Sequence, residues 1–170
     1  YMDEGIDTGD IIAVAPVEIG ENETSGDVFD KVSALGAVTL TETIAALGAG
    51  KVIRTPQDHS KATLAPPLTK EQSLFSFDAP APELHNRIRG LYPWPGAHFM
   101  QDGKKIKVIM ARKSLLCGTP GEVLLLNPLT IACATQALEL REVVPEGKRP
   151  MQGSEWAAGR RLKKGDLLGS

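Results

Sequence analysis

The segment 84–97, LHNRIRGLYPWPGA, constrains the fold of this chain more than any other stretch. Its leucines and isoleucine recur at the three- and four-residue spacing of one helix face, which predicts a short helix. Pro93 ends that helix, because its ring removes the backbone N–H and clashes with the preceding turn. Pro93 and Pro95 then fix the backbone on both sides of Trp94, and Gly96 permits a turn. The segment therefore predicts a docked helix followed by a rigid corner that suits the entrance to a β-barrel.

Downstream of this corner, short apolar runs alternate with turn residues, the pattern of antiparallel strands joined by tight turns. Five short strands with a helix at their entry favour a small Greek-key barrel, with the OB type first among the candidates. Upstream, Leu74, Phe75 and Phe77 predict another short strand, and a short helix is predicted around Trp156. The five predicted barrel strands are Ala97 to Met100, Lys105 to Arg112, Gly121 to Leu126, Thr130 to Ala134 and Ala137 to Val143.

The first third of the chain predicts one strand and one long amphipathic helix. The apolar run Ile11 to Val17 predicts the strand, and before it the loop DTGD presents Asp7 at its tip, unless that loop is a plain Asx-turn. The helix is predicted from Ser25 to Leu47, with its apolar side chains on one side. One strand and one helix are too few to bury this stripe of apolar side chains. Most of their domain is therefore expected to be missing from the chain, or the helix over 25–47 to be covered in a homo-oligomer.

Charge is unevenly divided along the chain, although the net charge is only −2. Residues 1 to 83 contain 5 Lys and Arg against 14 Asp and Glu, whereas residues 84 to 170 contain 14 against 7. The contrast between a basic half and an acidic half favours a protein in which one module binds a polyanion and the other part has a different function. Chance segregation of solvated charges is the alternative.

Several classes of protein are disfavoured by simple features. No apolar run approaches the roughly 18 residues of a membrane span, and the acidic first residues lack the basic start of a signal peptide. Cys117 and Cys133 predict buried free thiols in a reducing compartment, so a cytoplasmic location is expected. Neither His85 nor His98 has a partner set for metal binding.

Three segments, MDEGIDTGDII, LHNRIRGLYPWPGA and LELREVVPEGKRPM with the following GRRL, together resemble one family of enzymes. They look like the corresponding segments of the methionyl-tRNA formyltransferases, which formylate the initiator aminoacyl-tRNA with 10-formyltetrahydrofolate. The resemblance runs over essentially the whole chain in the right order, but it covers only the second part of that enzyme. The linker departs from the family pattern at Pro67, where the A-x-K-L segment commonly carries Lys.

The resemblance implies an α+β organisation in three parts. Residues 1–51 are expected to hold the final strand and helix of a Rossmann-like formyltransferase domain. Residues 52–72 form a linker, and residues 73–170 an OB-like C-terminal domain that binds tRNA. The upstream catalytic half of the enzyme is expected to be absent from this chain.

The resemblance also implies that Asp7 is catalytic. In the family, an Asn and a His stabilise the tetrahedral oxyanion, while the carboxylate orients the His and helps to carry the proton that leaves the amine. No His or Asn precedes Asp7, since the first of each is His59 and Asn22. This polypeptide is therefore expected to be inactive on its own. The residues implied to contact 10-formyltetrahydrofolate are Met2, Asp3, Gly5 and Asp7.

The basic half gains a specific interpretation from the same resemblance, namely contact with the phosphates of initiator methionyl-tRNA. Such contacts position the acceptor arm without reading its sequence, so affinity is expected to fall steeply with salt. The implied contact residues are Lys70, Lys104, Lys105, Lys107, Arg112, Lys113, Lys148, Arg149, Arg160, Arg161, Lys163 and Lys164.

Two other functions remain open. The chain could be a stand-alone nucleic-acid-binding OB module, although such a module should not carry the unpacked stripe of helix 25–47. It could also be a relative that acts on a folate or a nucleotide sugar and shares the Asp7 loop. Those relatives generally lack the basic ending from EGKRPM to GRRL.

Overall fold

A computed structural model describes residues 1–169 and divides the chain into two compact units. The first unit comprises Tyr1–Gly20 and Asp27–Pro67, and the second comprises Glu21–Gly26 and the chain from Leu68 onward. The second unit holds an antiparallel sheet and two helices, which confirms the α+β class. Among the described residues, no helix combines the length and the apolar character that a membrane span requires.

Helix α1 runs over Ser25–Gly48, close to its predicted bounds. Asp27 lies in its first turn, where a carboxylate complements the partial positive charge of the helix N-terminus. None of its residues, all of which are described, is buried, and Phe29 is 71% exposed. The apolar stripe that the sequence predicts is thus present and exposed.

The strand predicted over Ile11 to Val17 does not form. Ile11 alone pairs, in an isolated antiparallel bridge with Thr55 in which each N–H donates to the other carbonyl at 2.9 Å. Pro16 has no N–H to offer a ladder, and the described part of the first unit supplies no neighbouring strand. A short 3-10 turn follows at His59–Lys61, within the segment predicted as a linker. The predicted domain limits at residues 51 and 72 remain a prediction.

The second unit is built on a six-stranded sheet in the order β1-β2-β5-β4-β3, with β6 paired to β5. The run β2-β5-β4-β3 is a Greek key, and each of the five predicted strands is confirmed. Strand β2 is the longest, and an irregularity around Met110 lets it bend. The strands are β1 Ala97–Gln101, β2 Lys104–Ser114, β3 Val123–Leu126, β4 Leu129–Ala132, β5 Ala137–Pro145 and β6 Met151–Gln152.

Helix α2, Ala81–Gly90, and the rigid corner form as the sequence predicts. Pro80 is the residue that precedes the first helical turn, and Gly96 takes a positive φ of 79° in the corner. The short strand predicted around Phe75 does not form, because this segment makes only one parallel bridge, in which the Phe75 N–H donates to the His98 carbonyl at 2.9 Å.

The core of the second unit centres on four aromatic rings. Phe99 of β1 lies 5.2 Å from Phe77 and 5.9 Å from Phe75, measured between ring centroids. Trp156 of helix α3, Gly153–Arg160, meets Phe99 edge to face at 6.0 Å. Such pairs add to the gain from burying the rings. Helix α3, predicted from the sequence, is thereby held against the sheet.

The two cysteines differ in their surroundings. Cys133 is buried, and burial raises the pKa of its thiol to about 12. Cys117 is exposed, so the prediction that both thiols are buried is wrong for this residue. Its segment lies in the loop between β2 and β3, which leaves the side chain in solvent.

The seating of α3 on β5 can be tested at two glycines of one helix. A Cβ at Gly153 would lie 2.0 Å from the Leu140 carbonyl oxygen, whereas a Cβ at Gly159 meets nothing within 4 Å. We expect Gly153→Ala to lower the free energy of unfolding by about 1–3 kcal/mol, because the backbone must move apart. Gly159→Ala, the matched control, should raise it by about 0.5–1 kcal/mol. Urea unfolding followed by tryptophan fluorescence measures both, and equal effects would contradict the close approach.

Candidate functional site

A cleft of about 420 Å³ on the second unit gathers cations from three separate segments. Lys104 comes from the start of β2, Lys148 from the turn between β5 and β6, and Arg160 from the end of α3. All three are exposed and belong to the predicted tRNA-contacting set. The structure therefore brings together residues that are up to 56 positions apart in the chain.

Hydrogen bonds between the start of β2 and the turn that joins β5 to β6 hold these cations close together. The Glu146 carboxylate accepts from the Lys105 N–H at 3.2 Å, and the Glu146 N–H donates to the Lys105 carbonyl at 2.9 Å. Lys148 follows in a turn closed by its N–H on the Pro145 carbonyl at 2.9 Å. Arg160 reaches the hairpin before β2 and pairs with Asp102. The cleft is thus built from backbone contacts as well as side chains.

The cleft has an apolar floor and a rim of mixed charge. Pro145, Met151 and Trp156 supply the apolar surface. Glu146 and Glu155 lie on the same rim as the three cations, so the lining residues carry a net charge of +1. The rim therefore offers hydrogen-bond acceptors to a ligand together with positive charge.

The other predicted tRNA contacts do not line this cleft. Arg112 and Lys113 lie at the far end of β2, at most about 26 and 30 Å from Lys104 at roughly 3.3 Å per strand residue. Lys113 pairs with Glu21 at 2.9 Å, an interaction that lowers the pKa of that carboxyl. Lys107 donates to a carbonyl of the corner at 3.4 Å. The remaining cations, all exposed on the second unit, are Lys70, Lys105, Arg149, Arg161, Lys163 and Lys164.

A second, smaller cleft of about 290 Å³ lies in the first unit, at the loop that carries Asp7. Met2, Asp3, Gly5 and Asp7, the residues implied to contact the folate, all line it. Asp7 is exposed and takes a positive φ of 56°, which is uncommon for a residue with a side chain. Within the described residues, no hydrogen bond or ion pair engages its carboxylate, so that group faces solvent.

Two contacts shape the Asp7 loop. The Asp3 carboxylate accepts from the Thr8 hydroxyl at 2.5 Å and from the Gly5 N–H at 3.1 Å, and these bonds hold the pKa of Asp3 below its usual value. From the far side, the Gln57 amide donates to the carbonyls of Asp7 at 2.9 Å and Gly9 at 2.7 Å. Sequence reasoning missed Gln57, because it lies 50 residues from Asp7 and no local pattern links the two.

His85 is a buried titratable group beneath β2. Its Nε2 lies 3.2 Å from the side-chain oxygen of Asn22. Burial lowers the pKa of His85, the charges of Arg89 and Lys113 act in the same direction, and Glu21 opposes them. Across residues 1–169, no three His, Cys, Asp or Glu side chains are grouped so as to hold a metal ion. His85 is thus part of the packed interior of the second unit.

Comparison with known proteins relates the chain to formyl transferases. Residues 67–161 match the family model of the formyl transferase C-terminal domain. A methionyl-tRNA formyltransferase of Solibacter usitatus is 39% identical over 170 residues, and one of Bacillus subtilis is 38% identical over 174. Each alignment covers 99% of this chain and 55% of the relative. The chain therefore spans about half the length of the curated relatives it matches.

Solved structures share the fold at lower identity. HypX from Aquifex aeolicus in complex with tetrahydrofolic acid aligns with a TM-score of 0.66 and 17% identity, over 99% of this chain and 32% of that one. An N-formyltransferase from Helicobacter canadensis, in complex with folinic acid and dTDP-3-aminofucose, aligns with a TM-score of 0.64 and 17% identity, over 82% and 52%. At this identity the likeness establishes the fold alone.

The burial of His85 predicts a pH dependence of stability. Because its folded pKa lies below the ordinary 6.5, the unfolded chain binds the proton more tightly. The free energy of unfolding therefore contains the full contribution of neutral His85 above about pH 6.5, and this contribution declines as the pH falls toward the folded pKa. We expect His85→Gln to reduce this decline, while His98, whose pKa burial also lowers, retains part of it. Urea unfolding between pH 5 and 8 measures the slope, with the exposed His59→Gln as control. An unchanged slope in His85→Gln would contradict the assignment.

Proposed function

The chain belongs to the formyl transferase C-terminal domain family, and from that premise we propose that it supplies the tRNA-binding domain of a methionyl-tRNA formyltransferase. Such an enzyme moves the formyl group from N10 of 10-formyltetrahydrofolate to the amino nitrogen of initiator methionyl-tRNA. The relatives of that description, about 38% identical to nearly the whole chain, support this assignment.

The observation that carries the proposal is the cleft at α3. Lys104, Lys148 and Arg160 all lie within the matched residues 67–161, and the fold places them together although the sequence separates them. Cationic side chains on a rigid domain bind RNA phosphates and orient the molecule without reading its bases. The domain would thus hold the tRNA while the methionyl end reaches the reacting formyl group.

Asp7 is proposed to act at the reacting end. Its carboxylate is exposed on a cleft, on a loop whose carbonyls Gln57 holds in place. As the new bond to the formyl carbon forms and the bond to N10 breaks, the amine must lose a proton. A carboxylate that orients a neighbouring His helps to carry that proton. The groups that work with Asp7 are proposed to lie in the part of the relatives that this chain does not cover.

The first-unit cleft fits one end of a folate in chemical terms. Asp3 and Asp7 present carboxylates there, and a carboxylate accepts hydrogen bonds from the amino and ring N–H groups of a pterin. The family relationship to formyl transferases supports a formyl donor, for which we propose a folate. Met2 and Gly5 would contact the same ligand as lining residues.

The tRNA assignment predicts a specific change in salt dependence. The triple variant Lys104→Gln, Lys148→Gln, Arg160→Gln should bind initiator methionyl-tRNA more weakly, and the slope of log K against log salt should flatten by about 2–3, roughly 1 for each lost phosphate contact. Fluorescence anisotropy from 50 to 300 mM KCl, roughly the range in which such contacts weaken, measures both quantities. The variant Lys31→Gln, Lys51→Gln, Lys61→Gln, which removes the same three charges from the first unit, controls for net charge. An unchanged slope in the triple variant would mean that these cations are only solvated.

The role of Asp7 is testable in a full-length enzyme that carries this sequence. Asp7→Asn keeps the size of the side chain but removes the carboxylate that carries the proton. Formyl transfer to methionyl-tRNA should fall by about 10²–10⁴, the usual contribution of general acid–base catalysis, with tRNA affinity retained. Glu4→Gln, an exposed change of equal charge in the same loop, should leave the rate unaltered. Full activity of Asp7→Asn would remove this residue from the mechanism.

A further inference from the structure

The cleft at α3 combines features that phosphate binding alone does not require. Resting on the proposed function, we propose that it takes one unpaired nucleotide of the RNA, with the base on the apolar floor and its phosphate at the cationic rim. This makes the cleft a specificity site for unpaired nucleotides, in addition to a surface that attracts the backbone.

The apolar floor of the cleft is rigid. Trp156 is only 4% exposed and its ring is fixed against Phe99, so it supports the floor from below as a rigid base, while the partly exposed Met151 and Pro145 supply the accessible apolar surface. Met151 packs against the same core, and Pro145 completes the floor. A paired base presents only its edge to a protein, whereas an unpaired base can lay its face on such a surface. The volume of about 420 Å³ is in the range of small-ligand sites, which suits one nucleotide and not a duplex.

The rim of the cleft carries charges of both signs. Lys104 and Lys148 supply the positive charge that one phosphate needs, and Arg160, paired with Asp102, adds hydrogen-bond donors beside them. A site for phosphates alone gains nothing from two adjacent carboxylates. The carboxylates of Glu146 and Glu155 accept hydrogen bonds, and the exocyclic amino groups of adenine, cytosine and guanine donate them. An unpaired uracil offers a carboxylate only its N3–H, whereas an unpaired guanine offers N1–H and its amino group side by side, so one carboxylate can accept from both. The rim therefore favours an unpaired G over U.

Gly159 is a suitable position for the test variants because it lines the cleft and has open space where a side chain would begin. Gly159→Phe fills the cleft without changing its charge or displacing the core, and Gly159→Ala leaves it open. Both can be checked by thermal unfolding. Met151→Ala removes part of the floor from the opposite side and serves as a second variant.

The experiment compares a short RNA duplex with the same duplex carrying one unpaired nucleotide, by fluorescence anisotropy with the 170-residue chain. We expect the wild-type chain to bind the bulged RNA about tenfold more tightly, the scale of stacking one base, with the same salt slope for both RNAs. Gly159→Phe should abolish this preference and Met151→Ala should reduce it. Ala158→Phe, which adds the same ring at an exposed position of α3 outside the cleft, should preserve both the preference and the duplex affinity. Glu155→Gln should weaken the preference for an unpaired G over an unpaired U.

Each alternative result overturns the inference in a recognisable way. Equal wild-type affinity for paired and bulged RNA, with a steep salt dependence, would mean that the cleft contacts only the backbone, and the proposed function would stand. A preference that survives in both Gly159→Phe and Met151→Ala would place the unpaired base elsewhere. Binding of neither RNA would overturn the proposed function together with this inference.

Discussion

The packing of Phe99 against Trp156 is the contact on which the second unit depends. It joins the first strand of the sheet to the last helix, and the close approach of Gly153 to the Leu140 carbonyl sets how deeply that helix sits. Because Trp156 also forms the floor of the cleft, one side chain belongs to the core and to the candidate site. A site built in this way is rigid for the same reason that the domain is stable.

Local patterns in the sequence predicted the elements that local physics decides. Pro93 determines where α2 must end, and turn residues such as Asp102-Gly103 mark where strands meet. The strand predicted at Ile11 failed because a strand needs a partner, and a run of apolar residues does not reveal whether one exists. The cations of the cleft were identifiable by type. Which of them meet was not, because Lys104 and Arg160 are joined only through tertiary structure.

The fold itself says little about what the chain acts on. Solved structures with 17% identity share it while carrying different descriptions, so function must be argued from the sites. Here each compact unit holds a candidate site, and the two candidate sites differ in chemistry. The first has an exposed carboxylate on a shaped loop, and the second has an apolar cleft with a charged rim. These are the places where relatives that handle different acceptors are expected to differ.

The two hydrogen bonds from Gln57 to the Asp7 loop bear on how that loop could be inherited or transplanted. Asp7 and its neighbours in the loop lie in one short stretch of the sequence, but the side-chain amide of Gln57, which holds the loop backbone in place, lies far downstream. Grafting the stretch alone into another scaffold would leave two carbonyls without their donor. The loop and the residue that holds it are therefore discontinuous in the sequence. A motif search limited to consecutive residues would find the loop and miss Gln57.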